Sequence, residues 1–344
     1  MKITREDLDS AVKEGVLGSD QAAALWSRLG RPNLERQSLD FAHVAYYFGA
    51  LVVMSAMGWF MTLGWERFGG SGIFVISSVY ALLFLAAGWT LWSRDKLRVP
   101  GGLLFTLAVW MTPLAIYGVE RMLGMWPESD PGTFRDYHIW VNASWLIMEA
   151  GTIITGLIAL YFVRFPFLTF PIAFSLWYMS MDLTPMFFGR KEFSWNERLW
   201  VSLCFGAVIL LVSYLIDRRT KEDFAFWGYL FGLIAFWGGL SLMESGSELR
   251  KFFYCLINLV LMFVAVFLER RAFLVFGAMG VFGYLGHLSY SIFKDSMLFP
   301  LALTFIGLLV IFLGVTYQRK RVAIESFVLS LAPNAIRRLR PIER

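Results

Sequence analysis

Ten stretches of mostly apolar residues, about twenty long, recur along this chain. They cover roughly 41–65, 71–93, 99–119, 143–163, 165–188, 198–216, 223–243, 250–269, 272–293 and 297–317. The hydrocarbon core of a bilayer takes about 20 such residues per helix. A helix also bonds its own backbone where no water can. Each stretch ends at charges, such as Glu66-Arg67, Arg94-Asp95-Lys96, Asp217-Arg218-Arg219 and Glu269-Arg270-Arg271, or at turn residues. The fold class expected is all-α, a polytopic transmembrane helix bundle of about ten spans. The chain is 58% apolar and 17% charged, against roughly 45–50% and 25% in a soluble domain. That surplus of apolar surface excludes an ordinary soluble enzyme.

Sidedness follows from the basic residues, which concentrate in cytoplasmic segments. With the N-terminus inside, cytoplasmic segments hold 22 of the 31 Lys and Arg residues and outer loops 9. Both termini are therefore expected to be cytoplasmic, in a membrane read as a bacterial inner membrane. Trp65, Trp140, Trp145, Trp195 and Trp200 then fall near the outer interface, and Trp89, Trp92 and Trp227 near the inner one. The polar, acidic start Met1-Lys2-Ile3-Thr4-Arg5-Glu6-Asp7 is unlike a secretory leader.

Three segments are expected: a cytoplasmic helical hairpin over 1–40, the ten-helix domain over 41–317 and a basic tail over 318–344. In the first, Thr4 with Asp7 caps a helix carrying Leu8, Ala11 and Val12 on one face. Gly15 breaks it, and Ser19 caps a second helix that ends at Gly30 and Pro32. With 6 basic and 7 acidic residues, the hairpin offers no surface for nucleic acid. A protein partner there is an open alternative. In the tail, Ile324, Phe327, Val328 and Leu331 form one apolar helical face, ended by Pro333. Arg319, Lys320, Arg321, Arg337, Arg338 and Arg340 flank it, as suits an anionic cytoplasmic leaflet. The tail carries the whole formal charge of +5, because the rest of the chain balances.

The spacing Asp7-Leu8, Ala11-Val12, Gly15-Val16-Leu17, Gln21-Ala22 and Leu25, followed by Phe48-Gly49-Ala50, carries a resemblance. It is similar to the N-terminal part of a family of uncharacterised bacterial multi-pass membrane proteins with a short helical hairpin ahead of many spans. The resemblance covers about the first quarter of the chain and implies no catalytic residue.

Polar groups inside the spans are the functional clue, since ionisable side chains at bilayer depth are costly. Glu149 shares a face with Thr152 and Gly156, and Asp182 with Ser175 and Tyr178. Lys251, Tyr254, Cys255 and Asn258 form a stripe, and His287 stacks with Gly280, Gly283, Tyr284 and Ser291. Counted from the proposed outer ends at 1.5 Å per residue, Glu149, Asp182, Asn258 and His287 lie roughly 9–12 Å deep. A shared polar cavity open to the outside is one expectation. Two carboxylates could bind a cation or exchange a proton, with Tyr178, Tyr254, Tyr284 and Asn258 bonding a solute. Interhelical pairing of the same groups is the competing expectation.

No cofactor is called for, and no metal site is expected. Asp136 and His138, in the loop over 120–142, lack a third ligand. Cys204 and Cys255 read as packing residues. Gly228 and Gly232 form a packing pair, and Gly277, Gly280, Gly283 and Gly286 wrap their helix. Pro113, Pro171 and Pro185 are expected to kink their spans. Phe-Gly-Ala at 48–50, 205–207 and 276–278 hints at a five-plus-five repeat that the third copy does not fit. The leading functional reading is a transporter or channel for a small solute or ion. A sensor or assembly subunit, and a membrane enzyme acting on a lipid-linked substrate, are the alternatives.

Overall fold

The computed structural model describes residues 41–64, 68–94, 97–125, 143–183, 195–243, 246–292 and 298–319, with a few positions between 8 and 25. Every described element is helical. The helices are α1 (Phe41–Gly64), α2 (Gly69–Trp92), α3 (Arg98–Trp110), α4 (Thr112–Met122), α5 (Ala143–Phe162) and α6 (Thr169–Asp182). They continue with α7 (Trp195–Asp217), α8 (Phe226–Leu242), α9 (Glu248–Leu268), α10 (Arg271–His287) and α11 (Leu298–Arg319). Among the described residues, six helical segments are long and apolar enough to cross a membrane: Gly69–Trp92, Arg98–Met122, Trp145–Phe162, Trp195–Asp217, Glu248–Leu268 and Arg271–Ser291. Val44–Phe60 and Phe226–Leu242 are shorter apolar helices. Large apolar side chains stand exposed along them, among them Leu82, Trp89, Phe263 and Phe282. In water such a surface would aggregate; against lipid tails it costs nothing.

The chain divides into two compact units, 1–52 and 53–344. In the first, Val16 N–H bonds Ala11 O and Gly15 turns the chain at φ +72°. Helical residues resume at Ser19, and Leu8 and Ala22 are buried. The capping residue Thr4, the end of the hairpin at Gly30 and Pro32, and the tail beyond Arg319 lie outside the described residues, as do Asp136, His138 and Pro185.

In the second unit, α2 packs on α3 and α4, α5 on α6, α7 on α8 and α9 on α10. Segment Arg98–Met122 is its inner rod, with 61% of its apolar stretch buried against 11–22% in the other five. The rod breaks at Met111, whose N–H is shared between Leu107 O and Ala108 O, and Pro113 starts α4. Pro113 thus interrupts its span as expected. Pro171 does not kink its span: it lies in the first turn of α6, after the 3₁₀ turn Pro166–Leu168, where its missing N–H costs no helical bond. Only residues 163–165 separate α5 from that turn.

Glycines set the closest contacts. A Cβ at Gly118 would lie 2.6 Å from the Phe74 backbone nitrogen, and one at Gly101 2.8 Å from that of Trp92. Gly206 and Gly239 bring α7 and α8 together, where a Cβ would lie 2.9 Å from Gly232 O and 2.7 Å from Leu199 O respectively. Ser202 Oγ donates to Ala235 O at 3.1 Å across the same seam. Gly228 and Gly232 meet Ser213, Ile209 and Leu210 of α7, which is the packing role their spacing suggests. Gly277 and Gly280 press on Asn258 of α9, whereas Gly283 and Gly286 have open space where a side chain would be. Helix α6 is held between the two halves by aromatic rings: Phe170 meets Trp110 at 5.3 Å and Trp227 at 4.7 Å, and Phe174 meets Phe231 at 5.7 Å.

At one end of the α7–α10 group, Arg270 ties the two hairpins together. Its Nη2 donates to Asp217 Oδ1 at 2.7 Å and its Nη1 to Asp223 Oδ2 at 2.8 Å. Tyr229 donates to Asp217 Oδ2 at 3.2 Å, and the guanidinium stands 5.3 Å from the Tyr229 ring centre. Burial disfavours the Arg270 charge, but hydrogen bonds and attraction from Asp223 and Asp217 outweigh it and raise its pKa above the ordinary arginine value. Glu269 ends α9 in the left-handed conformation at φ 56°, which turns the chain so that Arg270 points inward. Beneath the cluster lies the apolar core of Ala225, Tyr229, Leu233, Leu261, Ala265, Leu268 and Phe273.

Two outcomes follow for stability. Asp217 is 2% exposed and Asp223 43%, so Asp217→Asn should cost several kcal/mol, of the order of 3, and Asp223→Asn under about 1. Thermal unfolding in detergent should show the larger fall in Tm for D217N. Gly206→Val should separate α7 from α8 and cost about 1–3 kcal/mol, seen as a lower Tm and faster proteolysis between the two helices.

Candidate functional site

Two groups of polar side chains gather at the end of the bundle opposite Arg270. The antiparallel hairpins put them there: α5, α7 and α9 begin at that end, and α6, α8 and α10 finish there.

The first group lies between α5 and α6. Thr152 and Thr155 return their hydroxyls to Met148 O and Gly151 O, which leaves Glu149 as the ionisable group on that face of α5. Thr155 also bonds Thr112 Oγ1 at 3.1 Å, and a Cβ at Gly151 would strike Ile116, so α5 sits tightly on α4. A Cβ at Gly156 would strike Ile172 of α6. Across this close seam Glu149 faces Asp182, the last residue of α6, and the two carboxyls are near enough to interact directly. They are 6% and 7% exposed. Neither oxygen of Glu149, nor Oδ2 of Asp182, has a hydrogen bond of good geometry. Tyr178, one turn before Asp182, lies within electrostatic reach of both and stacks on Trp145 at 6.5 Å. Arg198, on the first turn of α7, supplies an opposing charge to Asp182. A buried pair of carboxyls this close can share a proton or hold a small cation.

The second group surrounds a cavity of about 810 Å³ between α7, α8, α9 and α10. Lys251 Nζ lies 2.7 Å from Glu248 Oε1 and 3.1 Å from His287 Nε2. His287 Nε2 lies 3.1 Å from Glu248 Oε2, and Nδ1 lies 3.0 Å from Ser291 Oγ. Tyr254 Oη and Ser241 Oγ bond at 2.9 Å, and Tyr254, Tyr284 and His287 all line the cavity. Asn258 lies one turn deeper and is fully buried. Its Oδ1 accepts from Trp237 Nε1 at 3.0 Å and its Nδ2 donates to Tyr254 O at 2.8 Å. A Cβ on Gly280 would overlap its amide. Asn258 therefore joins α8, α9 and α10 beneath the cavity.

The seven residues singled out in the sequence thus form two groups: Glu149, Asp182 and Tyr178 in one, and Tyr254, Asn258, Tyr284 and His287 in the other. The start of α7 serves both, with Arg198 beside Asp182, and Asn196 and Trp200 lining the cavity. Of the basic tail residues, Arg319 ends α11, and Lys320, Arg321, Arg337, Arg338 and Arg340 lie outside the described residues.

Sequence reasoning passed over Glu248, Arg250 and Arg198 because charges at a helix end read as span flanks. The spacing of Glu248 and Lys251, three apart at the start of a helix, was the available signal. It also passed over Glu120, a third carboxyl at 3% exposure whose two oxygens have no hydrogen bond. Among the described residues, no three His, Cys, Asp or Glu side chains converge as a metal site would need. No family model, no curated protein and no solved structure matches this chain, so the N-terminal resemblance assigns it to no family.

Asn258→Ala should cost about 2–3 kcal/mol, because it strands the Trp237 N–H and opens a void beside Gly280. Trp237→Phe, which removes the donor and leaves the rest of the contact, should cost less. The comparison is read from Tm in detergent.

Proposed function

We propose that this protein is a membrane transporter of small solutes, with both termini cytoplasmic and about ten spans. In this reading the Glu149–Asp182 pair binds a proton or small cation, and the neighbouring cavity receives the solute from outside. The observation that carries the proposal is the carboxylate pair itself. Two acids more than nine-tenths buried and near enough to interact directly are costly to maintain in a membrane helix bundle. Two carboxyls held this close repel when both are ionised, and a proton or a small cation relieves that repulsion. The two groups also adjoin through the first turns of α7, so occupancy of one can be felt at the other. The excess of Lys and Arg on one side supports the orientation, and the ten apolar stretches support the span count.

Reconstitution into proteoliposomes tests it. Uptake of a panel of organic anions, amino acids and sugars would be followed under an imposed proton or sodium gradient. At least one solute should accumulate with one of the gradients. Glu149→Gln and Asp182→Asn should each lower that uptake at least tenfold with the Tm held. Uptake unchanged in both variants would remove the carboxylate site, and no gradient-driven uptake across the panel would remove the transport reading.

A further inference from the structure

The cavity's charge names the chemistry of what it holds, on the understanding that the protein transports solutes. Among the described residues, Arg250, Lys251 and His287 line it and no acidic side chain does. Its remaining wall is largely apolar, with Trp200, Leu240 and Phe253 among the lining residues. Its volume lies within the range of about 300–1,000 Å³ typical of small-molecule sites. Glu248 lies outside that lining, beside Lys251, with its carboxylate side chain 56% exposed. That carboxylate places one oxygen 2.7 Å from Lys251 Nζ and the other 3.1 Å from His287 Nε2. A carboxylate or phosphate oxygen entering the cavity would seek the same two partners. An exposed ion pair is weakly held, and Lys251 carries three donors in all, so the exchange of one anion for another costs little.

We propose that the cavity binds an organic anion, a single carboxylate or phosphate group on an apolar body. Glu248 acts as a resident anion that the solute displaces from Lys251 and His287. The apolar body rests against Trp200, Leu240 and Phe253, while Arg250 and Lys251 take the charge. The same chemistry is offered by a free amphiphilic anion and by an acidic lipid headgroup.

The test is equilibrium binding to the purified full-length protein in neutral phosphatidylcholine nanodiscs. Hexanoate, benzoate and phenyl phosphate would be compared with hexanamide and benzyl alcohol by thermal shift and calorimetry. The anions should bind and the neutral compounds should bind at least tenfold more weakly. Glu248→Gln should tighten anion binding about threefold or more, Lys251→Gln should weaken it at least tenfold, and Lys251→Arg should keep most of it. Equal binding of anions and neutral compounds, or no binding of either, would overturn the anion site. Anion affinity unchanged in Glu248→Gln would overturn the role of Glu248. Adding phosphatidylglycerol to the nanodiscs separates the sources: competition that depends on Lys251 indicates a headgroup, and its absence a free solute. Anion binding that persists in Glu149→Gln without gradient-driven uptake in the wild type would keep this inference and reject transport. Gradient-driven uptake without anion binding would do the reverse.

Discussion

Helices in hydrocarbon gain nothing by hiding apolar surface from lipid tails, so this bundle depends on other means of holding its helices together. It uses close backbone approach at glycines and a small number of buried polar bonds. Arg270 is the strongest of the latter. It takes charge from two aspartates on the neighbouring hairpin, and the Tyr229 hydroxyl completes the coordination of Asp217. Removing Asp217 would leave the Arg270 charge with only the half-exposed Asp223, so the buried aspartate is the partner on which the cluster depends. Asn258 performs the neutral version of the same task at the other end, with two hydrogen bonds and a fit against Gly280.

The contrast between the two ends of the bundle suggests how it works. At the Arg270 end, opposite charges are paired and packed over an apolar core. At the other end, two buried carboxyls face one another at Glu149 and Asp182, and a cavity opens beside Lys251 and His287. One end is thus held by paired charges, and the other gathers the groups on which the proposed function rests. The aromatic seam along α6 joins the two regions, since Trp110 and Phe231 pack on Phe170 and Phe174 of the helix that ends in Asp182.

Much of the site could be read from the sequence for a simple reason: an ionisable group in an apolar run is improbable unless something requires it. Glu149, Asp182 and His287 stood out on that ground, and equal depth in their spans put them at one end. The same reasoning has no purchase on Glu248 or Arg198, because a charge at a helix boundary is ordinary whether it faces water or turns inward. Arg270 and Asp217 looked like span flanks for that reason, and only the turn at Glu269 brings Arg270 into the bundle. Pro171 misled because proline inside a long apolar run suggests a kink, whereas the run holds a tight hairpin and a fresh helix start.

The sequence by itself determined that this chain is helical and built for a membrane, because run length, apolar content and flanking charge are local properties that lipid acts on directly. It also singled out Glu149, Asp182 and Asn258 as polar groups inside the spans, though not Glu120 or Asp217 at their ends. Which helices lie side by side was decided only in the tertiary structure. Two spans at the same depth can be neighbours or strangers, and periodicity does not distinguish them. That choice rests on where a backbone can come within reach of another, at Gly118, Gly206 and Gly280, and on which rings interlock along α6. It is what sorts seven polar residues into a carboxylate pair and a separate, positively lined cavity.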